Sequence, residues 1–302
     1  MALGNGDGSF RPPGNFPVGN YPFPAAAGDF NGDGKDDVAV GNYESQSLSV
    51  LISNGDGSFQ PAVSYAVGRG PHDVIVRDFN GDGNQDLAVA NAYSNTISIL
   101  LGNGNGTFRP GGELSTEPED VPNQLAAGDF NGDQKLDLAV SMAVYYGRVL
   151  LFQGNGDGTF QPATSIPVDA WPYDLQARDL NGDGKLDLVV SHVTTVSVLL
   201  GAGDGSFGPP ASFPVGTFPV SLAIADFNGD GRADLAVANR LFNSVLVLLG
   251  NGDGTFQPAV TFPTGVSAQY IAMADYNRDG KPDLAVVCSG TNSVTLLINN
   301  SP

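Results

Sequence analysis

Cysteine is almost absent: Cys288 stands alone in 302 residues. A single thiol excludes an intrachain disulfide framework and a redox Cys pair. It ends the apolar run DLAVVC, the setting of a buried thiol. Histidine is nearly as scarce, with two copies, so imidazole-based metal sites and acid–base pairs have little to work with. Basic residues are few, 13 Lys and Arg against 32 Asp and Glu, for a net charge of −19. That balance makes nucleic acid a poor partner. No apolar run is long enough to span a membrane, and no signal peptide is evident. No window carries a 3.6-residue period, so almost no helix is expected. The opening MALGN reads as the start of a piece cut from a longer chain, which leaves localisation to chemistry.

What is abundant is glycine, 41, and proline, 21, both recurring at fixed places and therefore turn punctuation. The frame is a nine-residue motif written six times: DFNGDGKDD (29–37), DFNGDGNQD (78–86), DFNGDQKLD (129–137), DLNGDGKLD (179–187), DFNGDGRAD (226–234) and DYNRDGKPD (275–283). The steps between copies are 49, 51, 50, 47 and 49 residues. A unit of that length cannot bury its apolar surface alone, so the repeats stack into one domain, 1–302. Within each unit, four runs of five to eight residues rich in Val, Leu, Ile and Phe are bounded by Gly and Asn turns. NGDG at 5–8, 54–57, 155–158 and 251–254 suits a tight hairpin with positive φ. Four strands per unit and six units predict an all-β, six-bladed β-propeller. The first 18 or so residues (LGNGDGSFRPPGNFPVG) read as a fourth strand and the end (SVTLLINN) as a third, so the termini together would complete one blade and close the ring. Seven blades, with one repeat outside this chain, is the alternative.

Each motif is a dense set of oxygen donors. Positions 1, 3, 5 and 9 offer side chains and position 7 its carbonyl. The expected metal set is Asp29, Asn31, Asp33, Lys35 and Asp37; Asp78, Asn80, Asp82, Asn84 and Asp86; Asp129, Asn131, Asp133, Lys135 and Asp137; Asp179, Asn181, Asp183, Lys185 and Asp187; Asp226, Asn228, Asp230, Arg232 and Asp234; Asp275, Asn277, Asp279, Lys281 and Asp283. Hard oxygens without His or Cys suit Ca²⁺, one per blade. Three Asp in each of six loops account for 18 of the 32 acidic residues, and six Ca²⁺ would bring the net charge to about −7. The competing explanation is an Asx-turn cluster without metal; six copies in register favour the ion. Gln134 replaces the position-6 Gly and Arg278 the position-4 Gly, so the third and sixth sites are expected to be weaker.

D-F-N-G-D-G-x-x-D-L-A-V followed by L-L-G-N-G-D-G-T-F-Q resembles the FG-GAP/VCBS repeat family, over essentially the whole chain. Such repeats occur in integrin α-subunit propellers and in many secreted proteins. The resemblance implies a propeller with calcium between strands 1 and 2 of each blade. It implies no single function, because the fold hosts adhesion receptors, lectins and polysaccharide-degrading enzymes. Sites filled only at about 10⁻⁴ to 10⁻³ M calcium would place the protein outside the cell.

Strand alternation puts the calcium loops and NGDG turns on one face, and the 2–3 loops and blade links on the other. In the family, ligands more often meet that second face. Tyr21, Tyr43, Tyr93, Tyr145, Tyr146, Tyr173 and Tyr270 fall there, with Trp171, His72, His192, Arg69, Arg148 and Arg240. Aromatic and Arg enrichment marks a binding surface, although links also use Pro and aromatics to pack blades. Trp171, Tyr173 and His192 are the first candidate pocket; Tyr21, His72 and Tyr93 are further ligand candidates. A calcium-dependent extracellular propeller binding glycans multivalently is the leading expectation. A structural or adhesion propeller binding another protein is the second. A polysaccharide lyase on the same scaffold is the third, and no enzymatic constellation stands out to support it.

Overall fold

The structure, a computed structural model, describes residues 14–301. Every element in it is a strand, and the strands run as six antiparallel meanders, the six-bladed β-propeller expected. Blade I is β1 (Pro22–Gly28), β2 (Asp37–Asn42), β3 (Ser47–Leu51) and β4 (Val63–Ala66). Blade II is β5 (Pro71–Arg77), β6 (Asp86–Asn91), β7 (Thr96–Gly102) and β8 (Phe108–Ser115). Blade III is β9 (Pro122–Gly128), β10 (Asp137–Met142), β11 (Arg148–Phe152) and β12 (Thr164–Pro167). Blade IV is β13 (Leu175–Arg178), β14 (Asp187–Ser191), β15 (Thr195–Leu199) and β16 (Ala211–Pro214). Blade V is β17 (Pro219–Ala225), β18 (Asp234–Asn239), β19 (Ser244–Leu248) and β20 (Val260–Pro263). Blade VI is β21 (Ala268–Ala274), β22 (Asp283–Cys288) and β23 (Ser293–Leu297).

Internal contacts group the chain into two compact units. One holds residues up to Ala127 with Asp133–Met142 and Leu150–Thr164; the other holds Gly128–Gly132, Ala143–Val149 and Ser165 onward. Each has its own core, built between successive blades. In the first unit Phe30, Leu48 and Val50 of blade I meet Val74, Leu87, Val89 and Phe108 of blade II. In the second, Val189, Val196 and Val198 of blade IV meet Leu222, Leu235 and Val237 of blade V. Each such side chain, fully buried, contributes roughly 1.5–3 kcal/mol. Second strands are covered on both faces, and β6, β10, β14 and β18 are buried at every residue. This explains their continuous Leu-Ala-Val runs. Fourth strands are outermost and mostly exposed. Cys288, at the end of β22, is buried as expected.

The expected closing strand falls largely on residues 1–13, outside the described residues. Among the described residues blade VI has three strands, and Gly14–Pro17 forms none. Phe16 nevertheless packs on Phe59, ring centroids 5.0 Å apart. The same 43-residue offset links the fourth strand of one blade to the next at Tyr65–Phe108 (5.6 Å) and Phe213–Phe256 (5.3 Å). Phe16 therefore occupies the place on blade I that a fourth-strand residue of a preceding blade would take.

Candidate functional sites on the two faces

The two-face arrangement is visible in the backbone bonds. On the first face, a turn of one blade donates to the acidic loop of the blade before it: Gly106 N to Phe30 O at 2.8 Å, and Gly205 N to Phe130 O at 2.9 Å. On the second face, 2–3 loops bond the blade links: Tyr43 N to Tyr21 O, Arg240 N to Phe218 O and Ser289 N to Ser267 O, each at 3.0 Å.

Each acidic loop wraps on its own carboxylates. In the first, Asp29 accepts Gly32 N (2.8 Å) and Asp33 N (3.1 Å) on Oδ1 and Gly34 N (2.8 Å) on Oδ2. Asn31 Oδ1 accepts Asp33 N, and Asp33 Oδ1 accepts Lys35 N, both at 3.0 Å. Loops two and five repeat the pattern around Asp78 and Asp226. The curl needs left-handed backbone at positions 4 and 6. Gln134 adopts φ 65° there, the strain expected of it, and Arg278, whose expected drawback is its charge near the ion, adopts φ 65° as well.

Position 9 does something the sequence did not disclose. Asp37, Asp86, Asp137, Asp187, Asp234 and Asp283 are wholly buried. Asp37 accepts Phe30 N (3.0 Å) and Ser53 N (2.7 Å), so it ties the loop's second residue to the end of the third strand. Asp86, Asp187, Asp234 and Asp283 make the same two bonds. Burial pushes the Asp37, Asp86, Asp187 and Asp234 carboxyls above the usual range, against the pull of those N–H donors.

Among the described residues, no three His, Cys, Asp or Glu side chains converge tightly enough to mark a metal centre. The donor chemistry still fits a hard cation. Asp29 Oδ1 already accepts two N–H groups, but Asp29 Oδ2, Asn31 Oδ1 and Asp33 Oδ1 each accept one from the backbone and keep a lone pair for a cation, and no soft ligand competes. The position-7 lysines, Lys35, Lys135 and Lys185, lie 3.3–4.0 Å from the position-5 carboxylates as exposed pairs of small energetic weight.

The second face carries exposed aromatics in two groups. In blades I and II, Tyr43 lies between Tyr21 (5.7 Å) and Tyr93 (5.4 Å), and Phe23 packs on Tyr43 (6.4 Å) and His72 (5.0 Å). Tyr21, Phe23 and Tyr93 are 57–62% exposed. Tyr43 is half-buried; burial first, then its hydrogen bond with Tyr93, pushes its hydroxyl up to about 12. In the second unit, Tyr145 and Tyr146 meet edge to face at 5.2 Å, Trp171 is exposed, and Tyr173 packs on Phe218 at 5.7 Å. The Arg240 charge acts on Tyr173.

The histidines do not serve as expected. His192 is sealed in the interior beside the Asp169 backbone, so it cannot line a pocket with Trp171 and Tyr173. His72 lies mostly covered beneath Phe23. Tyr270 stands on β21, not in a loop. There it lines a cavity of about 290 Å³ with Gln176, Arg178, Leu222 and Met273. Phe23, Phe218, Leu241 and Phe242 join this face without being Tyr, Trp, His or Arg. Their signal is position: Phe23 lies at the start of β1, Phe218 at a blade link, and Leu241 and Phe242 in a 2–3 loop.

Repeat, loop and strand order together decide the family. A model of the FG-GAP-like repeat matches residues 1–40, 29–89, 78–140, 141–190, 179–237 and 226–286. The chain belongs to the FG-GAP-like repeat family. Among curated proteins none matches this FG-GAP protein. Solved structures share its fold at low identity. An Agrocybe aegerita lectin, described as recognising non-reducing terminal N-acetylglucosamine, is 22% identical with a TM-score of 0.61; the match covers 91% of this chain and 80% of the lectin. BBS1N, solved in complex with ARL6DN, is 15% identical with a TM-score of 0.68, covering 94% and 81%. Virginiamycin B lyase from Staphylococcus aureus is 15% identical with a TM-score of 0.63, covering 93% and 82%. At these identities the likeness extends to the propeller and no further.

Proposed function

We propose that this FG-GAP propeller is an extracellular binding module that takes glycans on its second face and Ca²⁺ in its first-face loops. The observation that carries the reading is the segregation of side chains. Acidic donors crowd the first face, whereas Tyr21, Phe23, Tyr93, Tyr145, Tyr146 and Trp171 stand exposed on the second. Flat aromatic faces flanked by hydroxyls suit sugar rings, and repeated shallow sites gain by multivalency. The Agrocybe aegerita lectin supports the choice of terminal N-acetylglucosamine as the first sugar to try. Ca²⁺ would be held by the position-1, -3 and -5 side chains and the position-7 carbonyl. Its charge would offset the carboxylates and stiffen the loops.

A glycan array probed with and without EDTA tests the proposal. Binding to a set of related sugars, weakened by EDTA, is the expected result. Silence across the array would sink the glycan reading and leave a propeller that binds protein. Turnover of a uronic-acid polymer would overturn both.

A further inference from the structure

In five of the six blades the link leading into the first strand adopts left-handed backbone; the blade III link does not. The φ values are 54° at Tyr21, 68° at Gly70, 57° at Trp171, 58° at Phe218 and 62° at Ser267. In the first four the next residue is proline, which pushes its predecessor still further from helical conformations. In four of these links the carbonyl accepts a 2–3 loop N–H: Ala92 N donates to Gly70 O at 2.9 Å, as loop N–H groups do to Tyr21, Phe218 and Ser267, whereas in blade IV the Trp171 N–H donates to Val144 O at 3.0 Å. Glycine satisfies the position without strain, and blade II uses it. Three links instead carry a bulky aromatic residue, the class least suited to positive φ. Strain that the fold does not require of the side chain points to a use for the side chain.

The surroundings state what that use is. Tyr21 stands beside Tyr43 and Tyr93, and its exposed ring buries little that a glycine would forfeit. Trp171 leads into Tyr173, which packs on Phe218, so two left-handed aromatics flank one tyrosine. Arg240 acts on Tyr173, and Arg69 and Glu44 share backbone bonds with Tyr93 and Asn20, so both signs of charge border these groups on a chain of net charge −19.

We propose that Tyr21 and Trp171 are the specificity-determining platforms on which neutral pyranose rings stack, in blades I and IV only. The proposal rests on the glycan-binding reading above and narrows it to two of the six links. Blade II, with Gly70, blade III, with Val121, and blade VI, with Ser267, lack an aromatic there, and in blade V Phe218 is half-buried and packed on Tyr173.

The test pairs thermal unfolding with saturation-transfer NMR and titration calorimetry on the full chain. The probes are the methyl glycosides of glucose, galactose, mannose and N-acetylglucosamine. Tyr21→Gly, Trp171→Gly and the double variant relieve the backbone and remove the platforms. Their Tm is expected to hold or rise, while affinity for the bound probe falls at least tenfold in the double variant. Tyr21→Trp, which keeps an aromatic face, is expected to retain binding. Ser267→Gly, the control, is expected to raise Tm without touching affinity. Wild-type binding that survives in the double variant would overturn the platforms and leave the glycan reading standing. A lowered Tm in the glycine variants would assign these aromatics to packing and also overturn the proposal. Failure of the wild-type chain to bind any probe would sink the proposal and the glycan reading together.

Discussion

His192 shows how burial rewrites what a side chain is for. Read from sequence, it joined Trp171 and Tyr173 in a pocket. In the fold, desolvation drives its pKa down to about 4, only partly opposed by the nearby Asp169, and keeps the ring neutral. The sign of the consequence follows. An unfolded histidine takes a proton near pH 6.5, whereas the native ring resists to about 4, so stability drains as pH falls through that window. The cost approaches about 3 kcal/mol by pH 4. Replacing it with an apolar residue, His192→Leu, is expected to flatten the fall of Tm between pH 6.5 and 4. An unchanged pH profile would show that the ring is not sealed. The raised carboxyls of Asp37, Asp86, Asp187 and Asp234 act oppositely: their contribution is fully present below the ordinary Asp range and is lost as pH rises through their folded values. Comparison of variant with wild type cancels them.

At the scale of elements, blades are joined by polar straps as well as by apolar packing. Asp73 on β5 accepts Leu125 N of blade III at 2.8 Å. Asp174, at the start of blade IV, accepts Leu222 N of blade V at 2.6 Å. Ser221 on β17 accepts Ile271 N of blade VI at 3.2 Å. The straps bridge 52, 48 and 50 residues, one repeat each, because donor and acceptor sit at fixed positions of the repeat. Asp174 is fully buried and also holds Leu175 N and Gln176 Nε2; burial raises its pKa. Asp174→Ala leaves buried N–H groups unpaired and is expected to cost about 1–3 kcal/mol. Chemical denaturation with unchanged m would register it. A neutral result would mean water replaces the strap. None of this was legible beforehand. A motif search weights the loops, and nothing in SLAIADF or YDLQARDL announces that one polar residue bridges to the next blade.

For the whole molecule, the decisive quantity is linkage to metal. Ca²⁺ that binds the native loops and not the unfolded chain must raise Tm in proportion to the logarithm of its concentration. With dissociation constants of about 10⁻⁴ to 10⁻³ M, the rise should set in at millimolar Ca²⁺ and be reversed by EDTA. The third and sixth loops, strained at Gln134 and Arg278, should fill last. A melting curve indifferent to millimolar Ca²⁺ would return the loops to the Asx-turn explanation. Their internal bonds from Asp29, Asn31 and Asp33 already show that the fold can curl them by hydrogen bonding.

The six-fold motif alone determined the propeller, the blade count and which loops share a face. Period, strand alternation and turn glycines are local, and a repeated local rule propagates into one architecture. Only the tertiary structure decided which side chains are outside. Burial depends on what the next blade lays over a residue, so His192 and the position-9 aspartates went inward while Tyr21 and Trp171 stayed out. Backbone handedness at the links was likewise invisible in sequence. In four links it accompanies a carbonyl that meets a loop N–H some 20 residues away, whether that position carries Tyr, Gly, Phe or Ser.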